Sequence, residues 1–397
     1  MRGVLCVGVM LALPLSVSGQ EAGQGWLSGY IQPAMQTFES AAKKTETSLV
    51  ALCTQEAILR QGADSTKAAE AAQQAKLDFR ALVLAWSRIE FLRFGPLVEE
   101  NRYERISFWP DPRNVMLRQI PGVLARYSRG ELVDLSAQSV AVQGLPALEY
   151  LLYGNNGLLN PAPGNVRVDD VRSGGGVQPD VVVVPGNQTV PDVVRGRCDY
   201  AVDIARNLAG LAGALSAAWA ADGVWGGGFA NPATGRDTYR SHQEVLSESV
   251  KALSGGLQFA AEVKMGAAVG RPGSTGLSAS NVLAGEALSA DAGRSTLSVQ
   301  RLPWWRSGLH ADALVATLQG MGAYYAAGHL ALGASGWAGA QWQAELKQAV
   351  NLIESDGAGR QGWQAARLVL TNARRVLDED IAPALGVGLG FNALDGD

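Results

Sequence analysis

The feature that most constrains this chain is the recurrence of apolar residues at helical spacing over most of its length. Phe38, Ala41, Ala42, Thr45, Leu49, Leu52 and Cys53 share one face of a helix predicted over 26–61. The turn Gly62-Ala63-Asp64-Ser65 follows, and Asp64 or Ser65 caps a second helix that the pattern carries to Phe94, where Gly95-Pro96 stops it. Residues 115–127, interrupted at Pro121, and a short helix starting near Pro146 complete a first group. A second group covers 197–221, 239–267, 309–327, 338–355 and 359–381. Residues 155–192 differ, with five prolines, several glycines and a Val181-Val182-Val183-Val184 run that admits a short strand or hairpin. The pattern therefore predicts an all-α protein of two helical bundles, 20–154 and 193–397, with a long irregular insertion, 155–192, between them. Residues 223–235 read as a loop, and 270–302 as a weakly structured Gly/Ser/Ala-rich stretch. A chain of 397 residues has room for two such domains.

Residues 1–19 combine Arg2, an apolar run and the small residues Ser16, Ser18 and Gly19, which is the pattern of a cleavable secretory signal. Cys6 lies at the front of the run, misplaced for lipidation, so the expected destination is the periplasm or the exterior, as a soluble protein. No later apolar run reaches the ~18 residues a membrane helix needs. Cleavage removes Arg2 and no acid, moving the formal charge from -4 to -5. With no basic stripe carrying interleaved aromatics, nucleic acid is not the expected partner. In an oxidising compartment Cys53 and Cys198 either bridge or remain two buried thiols, and their spacing leaves both open. Asn187-Gln188-Thr189 fits a glycosylation sequon.

Charges in apolar or proline-pinned surroundings are the candidates for chemistry. In Gln143-Gly144-Leu145-Pro146-Ala147-Leu148-Glu149, a helix starting near Pro146 puts Glu149 on the face of Pro146 and Tyr153, toward protein. A buried carboxylate there needs a cation, a metal or a proton. Glu90 lies on the stripe of Leu82, Val83 and Trp86, with Arg93 as its local partner candidate. The loop Tyr103 to Asn114 is too rich in proline for a helix, and its X-Pro steps pin Arg105, Asp111 and Arg113. Arg306 follows Trp304-Trp305. Together these residues form either a charged cleft for an anionic, metal-bearing or peptide ligand, or a salt-bridge cluster that stabilises the domains. The three histidines, His242, His310 and His329, fall in no zincin pattern, no Gly-x-Ser-x-Gly elbow is present, and Gly386-Val387-Gly388-Leu389-Gly390 follows a helix rather than a strand.

Arg88-Ile89-Glu90-Phe91, Phe108-Trp109-Pro110-Asp111-Pro112-Arg113, the Gly144 to Glu149 segment, Arg197-Cys198 and the closing Leu389 to Asp397 stretch resemble the imelysin-like family. That resemblance implies an exported bacterial protein of two helical bundles with a site at their interface, often linked to iron uptake and, in some members, carrying a metallopeptidase label. The family's Gly-x-His-x-x-Glu motif implies Gly144 and Glu149 as matching positions and a metal ion as cofactor, but Pro146 stands where the histidine ligand would be. The preferred expectation is a non-enzymatic binding or accessory protein, connected with iron or metal acquisition and served by a protein partner in an uptake system. A metal-dependent peptidase and a purely structural or interaction protein are the alternatives.

Overall fold

The computed structural model describes residues 19–59, 65–159, 190–269, 298–330, 336–355 and 359–389. The segment expected to be a secretory signal, up to Ser18, the valine run, the sequon, nearly all of 270–302 and the closing motif from Gly390 lie outside the described residues.

Among the described residues the chain is helical, with no β-strand. α1 (Gly19–Trp26) and α2 (Gln32–Leu59) are joined through a π-helical turn, Leu27–Ile31. α3 (Ser65–Ile89) packs back on α2, and α4 (Arg102–Ile106), α5 (Val115–Ser128) and α6 (Leu145–Tyr153) follow. α7 (Val190–Ala218), which begins within the 155–192 stretch expected to be irregular, is followed by α8 (Val224–Ala230), α9 (His242–Gln258), which runs on through the π turn Phe259–Met265, and α10 (Gly266–Val269). The last helices are α11 (His310–Ala327), α12 (Gly336–Ser355), α13 (Arg360–Val376) and α14 (Ala382–Ala384). Among the described residues no helix is long and apolar enough to cross a membrane.

Packing interleaves the two halves of the sequence. α7 lies along α2 and α5, whereas α1, at the start of the described chain, packs on α9. Cys53 of α2 and Cys198 of α7 are joined as a disulfide with their Cα atoms 5.7 Å apart, so the bridge is the outcome of the two alternatives open in the sequence. α11 bears on α3, and α12 and α13 pack together as a pair. The buried faces are those the spacing marks: Phe38, Leu49 and Leu52 on α2, Leu82 and Trp86 on α3, Ile204, Leu208 and Leu215 on α7 and Leu370 on α13 are all fully buried. Each such side chain contributes roughly 1.5–3 kcal/mol relative to an exposed one, which outweighs the helix propensity of any single residue.

Three local expectations change. The second helix ends at Ile89 rather than Phe94, because the chain turns there and sends Arg93 to the Tyr103 hydroxyl and between the rings of Tyr103 and Phe259, each 4.1 Å from its guanidinium carbon. Residues 102–106 of the Pro-rich loop form a short helix before the extended backbone begins. The glycine-rich 223–235 stretch contains α8, whose Gly226 presses on the backbone of Trp219 and Ala220 so closely that no Cβ would fit. Glycine serves close approach here rather than flexibility.

Candidate functional site

The site is built around α6. Its first turn holds Pro146, which lacks the N–H that a first turn leaves unbonded in any case. Gly144, just before it, touches the end of α4: a Cβ there would lie 2.5 Å from the Ile106 carbonyl oxygen and 2.6 Å from that of Arg105. Only glycine permits this contact, and the contact fixes where α6 points.

One turn into α6, Glu149 is 3% exposed. Its Oε1 accepts the Ser307 backbone N–H at 2.9 Å and the Ser307 hydroxyl at 2.7 Å. Burial pushes its carboxyl above the usual range, while Ser307, the Arg306 charge and the Arg306 backbone N–H hold it back. Desolvation is the largest of these influences.

Ser307 is delivered by a strained turn. Trp304 has φ +62°, a left-handed conformation that costs a bulky L-residue roughly 1–2 kcal/mol. Its carbonyl accepts from the Ser307 hydroxyl at 3.2 Å and the Leu309 N–H at 3.0 Å, and Gly308 completes the reversal at φ +74°. The strain is repaid in the donor pair that meets Glu149. Arg306 lies over the Trp305 ring at 4.4 Å and the Tyr150 ring at 5.4 Å.

Opposite stands the loop from Ser107 to Asn114. Asp111 is committed to α5, its two oxygens accepting from Val115 N–H at 2.8 Å and Met116 N–H at 2.9 Å. These are two of the donors a helix start leaves unpaired. Trp109 packs edge-on to Phe259 at 5.8 Å.

Between these walls is a cavity of about 820 Å³ lined by residues of both sequence halves, among them Trp109, Asp111, Pro146, Glu149, Trp305 and Arg306. Of the charged residues singled out in the sequence, Asp111, Glu149 and Arg306 come together here and the others do not. Arg105 donates to Gln143 at 3.1 Å and Asn207 at 3.4 Å, tying α4 to α7. Arg113 is exposed and outside the lining. Glu90, 5% exposed, is ion-paired with Lys264 and accepts from the Thr317 hydroxyl at 2.7 Å, so its partner comes from the distant π turn rather than from Arg93. None of the histidines lines the cavity: His242 and His310 open α9 and α11, and His329 follows the end of α11.

Four participants escaped the sequence reading. Ser307, Trp304 and Trp109 lie in or beside quoted motifs but show no periodic signal. Lys264 had one, as a lone lysine in the apolar stretch around Phe259-Ala260-Ala261, a mirror of Glu90.

The residues present do not fit the metal that the family motif implies. Proline at 146 supplies no donor, and Glu149 Oε1 already takes two hydrogen bonds from Ser307. Among the described residues no group of three or more His, Cys, Asp and Glu side chains could hold a metal ion.

The family model described as imelysin matches residues 31–357. This chain belongs to the imelysin family. The imelysin fold extends to solved structures. An imelysin-like protein from Psychrobacter arcticum 273-4 superposes with a TM-score of 0.65 at 17% identity, covering 96% of this chain and 100% of that chain. A protein assigned as an iron-regulated protein A precursor from Parabacteroides distasonis ATCC 8503 gives a TM-score of 0.62 at 11% identity, with 95% of each chain covered. At those identities the likeness is one of fold. No curated protein matches this chain.

Proposed function

We propose that this protein is an exported binding or accessory protein of iron or metal acquisition, working in the periplasm or outside the cell with a protein partner of an uptake system. On this reading its ligand enters the cavity bordered by Glu149, and the protein does not act as a metal-dependent peptidase. The observation that carries the proposal is the setting of Glu149: a buried carboxylate at a cavity wall, held by a serine from the other half of the chain, beside a proline that offers no ligand. The iron context is supported by the assignment of the Parabacteroides relative as iron-regulated. The secretory pattern of residues 1–19 supports export.

The test is thermal unfolding and a peptide-cleavage panel, each run with and without zinc, cobalt and ferrous iron. The expected outcome is no metal-dependent cleavage and no metal-dependent rise in Tm through Glu149. A rise in both that Glu149→Ala abolishes would establish the peptidase reading instead.

A further inference from the structure

We infer that the cavity beside Glu149 takes a small planar aromatic carboxylate. The inference rests on the binding reading above and adds the class of ligand.

The first support is an asymmetry of hydrogen-bonding groups. The two carboxylates at the wall are engaged: both oxygens of Asp111 hold the first N–H groups of α5, and Oε1 of Glu149 takes the N–H and hydroxyl of Ser307. Positive charge and donors remain. Arg301 is exposed, lines the cavity and has no carboxylate partner among the described residues. Trp304 lines the same cavity at 2% exposure, and its indole N–H has no acceptor among the described residues. A ligand that brings acceptors answers these groups. An anion brings acceptors alone, and a carboxylate matches the fork of an arginine.

The second support is the wall itself. Phe108, Trp109 and Trp305 are each half-buried along the lining, and the Arg306 guanidinium already lies 4.4 Å over the Trp305 ring. Flat aromatic surface in the same lining as Arg301 favours a flat ring carrying negative charge, by stacking on the rings and ion pairing with Arg301. A cavity of about 820 Å³ suits a small molecule.

The test uses the full protein with benzoate as the probe. Cyclohexanecarboxylate keeps the charge without the π face, and benzamide keeps the ring without the charge. Binding is read by saturation-transfer NMR and by quenching of tryptophan fluorescence. Benzoate is expected to bind, with each control weaker by about tenfold. Arg301→Gln, an exposed change, is expected to weaken benzoate by about fivefold or more at unchanged Tm, and Trp305→Leu to erase its advantage over cyclohexanecarboxylate. Equal binding of cyclohexanecarboxylate overturns the aromatic part, and equal binding of benzamide the anionic part. Binding of citrate at these residues, with none of benzoate, overturns the class but leaves the binding reading standing. No binding by any of the four probes, with all variants folded, overturns the inference and counts against the binding reading as well.

Discussion

Glu90 and Glu149 carry the same mark in the sequence, a single carboxylate inside an apolar helical stripe, yet the fold provides for them in opposite ways. Glu90 sits with Lys264 and Thr317, at 5%, 3% and 3% exposure, so charge and countercharge are sealed together. Glu149 is as buried at 3%, but its direct donors are neutral, the N–H and hydroxyl of Ser307 in a strained turn and the Arg306 backbone N–H, and it borders a cavity. A carboxylate closed in with its own cation is a finished structural unit. One held chiefly by neutral donors keeps the ability to change protonation or to meet another partner. Depth of burial therefore does not distinguish these two carboxylates; the nature of the companion does.

The contrast can be broken by experiment. Lys264→Met strands Glu90 as an unpaired buried charge and is expected to lower stability by roughly 3–5 kcal/mol in urea unfolding, while adding Glu90→Leu recovers most of the loss. A loss no greater than that of the corresponding change at Glu149 would erase the distinction. Ser307→Ala removes the hydroxyl donor to Glu149 and leaves the backbone N–H groups, so about 1–3 kcal/mol is expected. Arg306→Gln gives up the stacking over Trp305 and Tyr150, worth about 0.5–1 kcal/mol, with a Tm change to match.

The finest test is pH. The Glu149 carboxyl titrates above its ordinary value of 4.5 in the folded protein, so the native state holds a proton that the unfolded chain has released. Stability from this group is present below the unfolded value and is lost as pH rises from about 4.5 through the folded value. Glu149→Gln removes the titration while keeping an acceptor for Ser307. Relative to the parent, the variant should gain stability as pH is raised from 4 toward neutrality, read as the difference in urea midpoints. A difference that stays flat, or moves the other way, would mean that Ser307 and Arg306 outweigh desolvation.

The long helices were legible because a 3.6-residue period repeated over five or more turns leaves few alternatives. What escaped was set by contacts between distant segments. Lys264 meets Glu90 across 174 residues, and no local pattern records such a pairing. The end of α3 at Ile89 follows from where Arg93 must go, between two rings, rather than from propensity. The role of Ser307 depends on a left-handed tryptophan, a conformation that the sequence Trp304-Trp305-Arg306 gives no reason to expect. Asp111 was recognisable as pinned and charged, but its carboxylate turned to the helix just after it. It lies three residues ahead of the N-cap Asn114, outside the position where a capping aspartate is expected.

The join between α6 and α7 has an evolutionary consequence. Leu158 and Leu159 fold back onto α6 through bonds to the Leu151 and Leu152 carbonyls at 3.0 and 2.8 Å, and Cys198 fastens α7 to α2. The chain between those anchors thus departs from and returns to points that are fixed independently of it. Closing a connection costs only about 0.6 kcal/mol more for each doubling of its length. Residues 160–189 are accordingly where a lineage could lengthen, trim or wholly exchange sequence while α6, the Trp304 turn and the cavity between them kept their register.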